Sequence, residues 1–368
     1  MKTSRIVAIA LGSILVVQTV APARAWDRGK VEIFAVLPPG STGPEGLTVG
    51  PDGNVFVTTF GFNSQGSVTG NSELFVFRPN GSLLREVPIQ NSTSHTLGLG
   101  FNPITGDLII LDFGAGTALK VDPKTGHSSL FMTASTTGIP DPKTPGTDPA
   151  MSGLNALTFD SHGNVYISDS FQGIIWKTGP AGGTGSQRLG TIWVQDAGLT
   201  TTGIPPFGAN GIQFNNAGTT VFVANTGNDQ IIQIPVNLNG SAGKPTVFVN
   251  SINGADGIII DKNDNIWAVA NQADEIVVID RTGKVIAKLG DFNGVDDDGV
   301  PHGLLFPASP AFSLDGKTLY VTNLALDLTL FGLTQAVDSQ WAHQVKHYTV
   351  AQLRAKIPRL PDGDDDHQ

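Results

Sequence analysis

"SGLNALTFDSHGNVYISDS", residues 152–170, places Asn155 just ahead of an apolar alternation, a turn rich in Asp, Gly and Asn, and a second apolar run. That order reads as a β-hairpin, and the same order recurs along the chain. The copies are "EGLTVGPDGNVFVT" from Glu45, "LGLGFNPITGDLIIL" from Leu97, "NALTFDSHGNVYIS" from Asn155, "NGIQFNNAGTTVFVA" from Asn210, "DGIIIDKNDNIWAVA" from Asp256 and "PAFSLDGKTLYVT" from Pro310. The residue that opens each copy is called the slot. A small residue follows it every time (Gly46, Gly98, Ala156, Gly211, Gly257, Ala311), and apolar residues stand two and four places on. Successive slots lie 46 to 58 residues apart, which leaves room for four short strands per unit. The missing strands are visible in "ELFVFRPNGSLLREVPI", "TALKVDPKTGHSSLFM" and "DEIVVIDRTGKVIAKL". An all-β, six-bladed β-propeller is therefore expected, because a ring of blades leaves only short, protected sheet edges. A β-solenoid is the alternative, disfavoured by the long period and the lack of a capping pattern. The unpartnered run "KVEIFAVL" from Lys30 is expected to complete the last blade, and "HYTVAQLRAKIP" is read as a terminal strand or a short helix packed outside.

Residues 1–25 are set apart as a secretory signal peptide: Lys2 and Arg5 precede an apolar run, and Ala23-Arg24-Ala25 offers a small-x-small cleavage site. The apolar run is shorter than the roughly 20 residues a membrane span needs. Residues 26–361 form the expected propeller, and 362–368 an acidic, disordered tail. The mature chain is expected to be exported, periplasmic or extracellular, and monomeric. It has no Cys, so disulfides cannot staple it, but about 340 residues bury an ample core. Loss of the leader, with Lys2, Arg5 and Arg24, takes the formal charge from −10 to −13. That sign argues against nucleic acid or an anionic membrane surface as partner.

In a propeller the innermost strand of each blade faces the central channel, so six slots converge on one axis. In order they read Glu45, Leu97, Asn155, Asn210, Asp256 and Pro310. A repeat that merely needed a polar turn residue would be polar in all six copies; here four supply oxygen and two do not. Two carboxylates and two amide carbonyls suit Ca²⁺, a hard cation that takes 6 to 8 oxygens in irregular geometry. Zinc is disfavoured by the absence of Cys and of any slot His, and Mg²⁺ by its preference for small, water-rich octahedral shells.

"PEGLTVGPDGNVFVT", "LNALTFDSHGNVYISDS", "ANGIQFNNAGTTVFVANT" and "ADGIIIDKNDNIWAVANQ" resemble, in blade order, the calcium-dependent six-bladed propellers that include gluconolactonase, regucalcin (senescence marker protein) and luciferin-regenerating enzyme. The resemblance implies a catalytic calcium held by Glu45, Asn155, Asn210 and Asp256, with hydrolysis of a lactone or other ester at that ion; a second, structural ion is compatible with it. Asp256 is the expected general base or nucleophile, with Glu45 as its rival. Ala156 stands where several members of that family carry an acid, and "SHTLGLG" stands where the sugar-lactone specialists place substrate-holding polar groups, so the resemblance argues against gluconolactone itself and for a broader lactonase.

His95 and His302 are candidate accessory groups at the channel mouth. Asp291, Asp296, Asp297 and Asp298 lack the spacing of an EF-hand and are read as a solvated turn. The connections 133–153 and 196–209 lead into Asn155 and Asn210 and are expected to overhang the mouth; their Thr, Pro and Gly content points to a neutral or modestly apolar small molecule. The competing reading is a non-catalytic propeller, a binding or scaffold protein with a structural ion.

Overall fold

A computed structural model describes residues 27–135, 151–333 and 338–358. The expected leader, the acidic tail and most of the 133–153 connection lie outside these residues. Six four-stranded antiparallel sheets make up nearly all of the regular structure. Their innermost strands are Pro44–Val49, Thr96–Phe101, Leu154–Phe159, Ala209–Phe214, Ala255–Ile260 and Pro307–Phe312. Each of these touches the next, and the sixth touches the first, so the blades close into a ring. The six-bladed propeller expected from the repeats is the fold.

The sixth blade is assembled from both ends of the chain. Its order from the axis outward is Pro307–Phe312, Thr318–Asn323, Thr349–Arg354 and Val31–Val36. "KVEIFAVL" thus closes the ring as expected. The segment "HYTVAQLRAKIP" is an interior strand of that blade and does not pack outside it, because Val350, Ala351 and Leu353 bury themselves between neighbours on both sides.

Local chemistry explains the hairpins. Asp160 Oδ1 accepts the backbone N–H groups of His162 (2.9 Å) and Asn164 (3.0 Å), and Asp261 Oδ1 those of Asn263 (2.8 Å) and Asn265 (3.0 Å). These Asx turns fold the chain back so that the apolar residues of both strands share a face. Neighbouring blades bury those faces against each other in six separate clusters, such as Phe222, Ile231, Ile258 and Val277 between the fourth and fifth blades. A seventh cluster, including Phe60, Leu97, Phe306, Ala308 and Leu324, lies at the axis.

Every innermost strand carries a β-bulge at the same place. In the third blade Leu154 pairs with Asp169 and Leu157 with Ile167, so Asn155 and Ala156 together oppose Ser168. The same two-against-one shift falls at Glu45, Leu97, Asn210 and Asp256. A bulge re-aims a side chain that regular pleating would send into a blade-to-blade face, and here it turns the slot toward the axis. It also explains the small residue that follows: a Cβ on Gly211 would collide with the Asp256 carbonyl oxygen of the next blade.

One register is corrected. In the sixth blade Pro307 pairs with Asn323 and Pro310 with Val321, so the slot is Ala308 and the residue after it Ser309. A Cβ on Gly257 would meet Ala308 O, the equivalent of the Gly211 contact. Pro310 is the apolar residue two places on. The sequence misled because "PASPAF" offers two slot-plus-small-residue pairs two residues apart, Ala308-Ser309 and Pro310-Ala311, either of which satisfies the pattern.

Candidate axial metal centre

The structure brings Glu45, Asn155, Asn210 and Asp256 to one cavity, walled otherwise by Phe60, Leu97, Phe207, Asn271, Phe306 and Leu324 among others. All four predicted residues are buried. The space among them admits about 20 Å³ of a water-sized sphere, enough for an ion or one water and too little for a lactone.

Hydrogen bonding fixes which way the amides point. Ser170 Oγ donates to Ala209 O (2.8 Å), so its one proton is used and it can only accept from Asn155 Nδ2 (3.1 Å). Thr226 Oγ1 likewise donates to Ala255 O (2.7 Å) and accepts from Asn210 Nδ2 (2.9 Å). Each hydroxyl thereby joins its blade to the next; at Asn155 it holds the nitrogen away and leaves Oδ1 to the cavity, whereas the Asn210 amide bonds Asp256 as well. In the fifth blade Asn271 takes the same place and donates Nδ2 to Asp256 Oδ2 (3.0 Å).

What remains is a set of oxygens with nothing to bond. Glu45 Oε2, Asn155 Oδ1, Asp256 Oδ1 and Asn271 Oδ1 are all buried without a hydrogen-bond partner. A buried polar atom left in this state costs about 1–3 kcal/mol, more when charged, so four of them around one small cavity point to a ligand that supplies positive charge. Burial, and then the negative charge of Asp256, hold the Glu45 carboxyl well above its ordinary range. Burial also raises Asp256, against hydrogen bonds from Asn271, Asn210 and the Gly257 N–H. The donor set is oxygen alone and its carboxylates number two, which fits Ca²⁺; among the described residues no group of three or more His, Cys, Asp or Glu could hold an ion.

Asn271, Ser170 and Thr226 were not singled out from the sequence. They occupy one equivalent position, just past the end of the second strand, where the other blades have Phe60, Phe113 and Leu324. The signal was present: "ISDS", "VANT" and "AVAN" end in polar residues, while "VTTF", "LDF" and "VTNL" do not.

The two histidines fare differently from the slots. His95 packs edge-on against Phe60 (5.6 Å between centroids) and Phe62 (5.0 Å), and bonds Ser94 Oγ (3.0 Å). It stands beside a cavity-lining ring but not in the cavity, and burial lowers its pKa. His302 is not at the axis: it lies in an exposed hairpin with Nε2 2.9 Å from Asp296 Oδ2. Asp296 also accepts the Asp298 and Val300 N–H groups, and Asp291 pairs with Arg28, so this acidic loop is an exposed, self-satisfied turn. Of the two connections, 196–209 reaches the cavity through Pro205 and Phe207.

Fold and site together define a six-bladed propeller with an oxygen-lined axial cavity. The family model described as the SMP-30/Gluconolactonase/LRE-like region matches residues 147–325, so the resemblance read from the slots holds over the stretch carrying Asn155, Asn210 and Asp256. Among solved structures, regucalcin from Agrobacterium tumefaciens, described as a calcium-binding protein, is 17% identical over 87% of this chain and 94% of its own, with a TM-score of 0.55. A gluconolactonase from Xanthomonas campestris is 13% identical over 92% and 99%, with a TM-score of 0.56. A streptogramin B lyase is 16% identical over 90% and 99%, with a TM-score of 0.52. At these identities the likeness is one of fold, and the fold serves more than one chemistry. No curated protein matches the chain significantly in sequence.

Proposed function

We propose that the chain is an exported, calcium-dependent hydrolase of the lactonase or esterase type, acting on a small neutral molecule as a monomer. The observation that carries this reading is the set of partnerless, buried oxygens on four residues that line one ion-sized cavity. The names of similar structures, a gluconolactonase and a calcium-binding regucalcin, agree with it. Export rests on the leader read in residues 1–25.

Glu45, Asn155, Asn210 and Asp256 would hold the ion, with Asn271 orienting Asp256. A bound Ca²⁺ supplies Lewis acidity toward a carbonyl oxygen and charge to stabilise the oxyanion that develops on attack. The chain's own residues do the rest. Asn271 clamps one Asp256 oxygen and leaves Oδ1 free, which positions Asp256 to take a proton from water or to attack the acyl carbon itself. Phe60, Phe207, Phe306 and Leu324 exclude water from the charged cluster. Pro205 and Phe207 bring the 196–209 connection to the cavity wall.

A second reading is favoured by one observation, the ion-sized cavity: a propeller whose ion only pins the blades. Turnover decides between them. Lactones and aryl esters assayed with Ca²⁺ and then with a chelator should show chelator-sensitive hydrolysis; calcium binding with no turnover across the panel would leave the structural ion.

A further inference from the structure

Next to the axial cavity lies a smaller set of buried oxygens that the proposed reaction does not use. Asp338 and Ser339, at the start of the short helix Ser339–Ala342, line a separate pocket with Asn253 and Gln272, and the pocket admits about 60 Å³ of a water-sized sphere. Ser339 is 4% exposed and its Oγ has no hydrogen-bond partner; Asp338 is 7% exposed. Behind Asp338 stands Asp274, whose side chain is hydrogen-bonded to it and whose Oδ1 accepts the Phe306 N–H (2.8 Å). Among the described residues no Lys, Arg or His forms an ion pair with either carboxyl. Two carboxyls in contact cannot both be ionised without a positive partner; a proton must lie between them or a cation must replace it.

We propose that this pocket is a second divalent-cation site, binding Ca²⁺ through Asp338 and the Ser339 hydroxyl, with Asp274 supplying the second negative charge. The donors are again oxygen and the charge again matches that of a divalent cation. Burial raises both carboxyls, as expected of a charge pair with its counter-ion missing. The site has a structural consequence. Phe306 and Leu326 line this pocket and the axial cavity alike, and Gln272 directly follows Asn271. A cation here ties the turn that carries Asn271 to the short helix and braces one wall of the axial centre.

Equilibrium dialysis of the chelator-stripped full chain against radioactive calcium tests this. The expected result is two ions for the unaltered chain, one for Asp338→Asn, and one for Glu45→Gln. Ser339→Ala should retain both ions but bind one on the order of tenfold more weakly, since each donor tunes affinity. A single ion that Glu45→Gln removes and Asp338→Asn leaves in place would overturn the proposal and identify the aspartates as a pair sharing a proton. If Asp338→Asn fails to fold by circular dichroism, Ser339→Ala carries the test, and unchanged affinity for both ions overturns it. Failure of the axial reading looks different: Glu45→Gln would then bind as the unaltered chain does, while Asp338→Asn still loses an ion.

Discussion

Blades three to five and blades two and six present the same backbone to the axis and opposite chemistry. In the first group the slot is Asn155, Asn210 or Asp256, backed within its own blade by Ser170, Thr226 or Asn271. In the second it is Leu97 or Ala308, with Phe113 or Leu324 at the backing position. All of these slots sit on the same β-bulge and all are buried. Since Leu97 and Ala308 fill the position without a polar atom, the fold does not require oxygen there; the oxygens serve something that occupies the cavity. Glu45 marks the border between the halves. It is a carboxylate in a blade whose backing residue is Phe60, and its Oε2 has no partner, so it depends most on a cation.

The comparison breaks most directly at Asp256. Asp256→Asn keeps an oxygen that can accept from Asn271 and removes the charge and the base. Calcium-dependent turnover should fall by roughly 10³-fold or more, about 4 kcal/mol of transition-state stabilisation, while the circular dichroism spectrum stays that of the parent. An unaffected rate would remove Asp256 from the reaction.

The same two carboxylates set a pH dependence. Both are held above their ordinary range, Asp256 up to about 7, so without calcium the folded chain binds more protons than the unfolded one. Their contribution to stability is then fully present below the unfolded values near 4 and is lost as pH rises toward 7. On the proposed reading calcium binds the deprotonated forms, so its stabilisation would grow across that window. Calorimetry from pH 4.5 to 8 should show Tm falling with pH in chelator and the fall abolished in excess calcium. Parallel curves in the two media would mean that no ion meets these groups.

How far the sequence could be read follows from what repetition records. Six copies of one hairpin make blade count and slot position legible, because each copy checks the others; the one misplaced slot came where "PASPAF" is ambiguous against its own repeat. Asn271 was missed because it lies beyond the second strand of its hairpin, and only the register with Asp256 shows that it shares the cavity. His302 was legible as a polar loop residue but not as one remote from the axis, since loop length alone does not say where a hairpin points. The small size of the cavity could not be foreseen, as Phe207 and Phe306 reach it from connections with no repeat to compare.

Asn271 provides the next test of the polar half. Asn271→Ala removes the clamp on Asp256 Oδ2 and one partnerless oxygen without changing charge. Calcium affinity by isothermal titration should drop 10- to 100-fold, the usual loss when a group orienting a ligand is deleted. Full affinity would reduce Asn271 to a turn residue.

The smallest effect discriminates most sharply, because its sign depends on whether calcium is present. Asn155→Leu makes a slot of the polar half resemble Leu97. Without calcium it deletes a buried, unpaired oxygen, and Ser170 still donates to Ala209 O, so the chain should be stabilised by about 1 kcal/mol. With calcium the same change removes a ligand and should destabilise. The reciprocal Leu97→Asn places an amide among Phe60, Phe306 and Leu324 and should destabilise in both media. Urea unfolding of both variants, with calcium and with chelator, reads all four signs. Equal effects of Asn155→Leu in the two media would mean that this oxygen never meets an ion, and the polar half would lose its claim to be a metal centre.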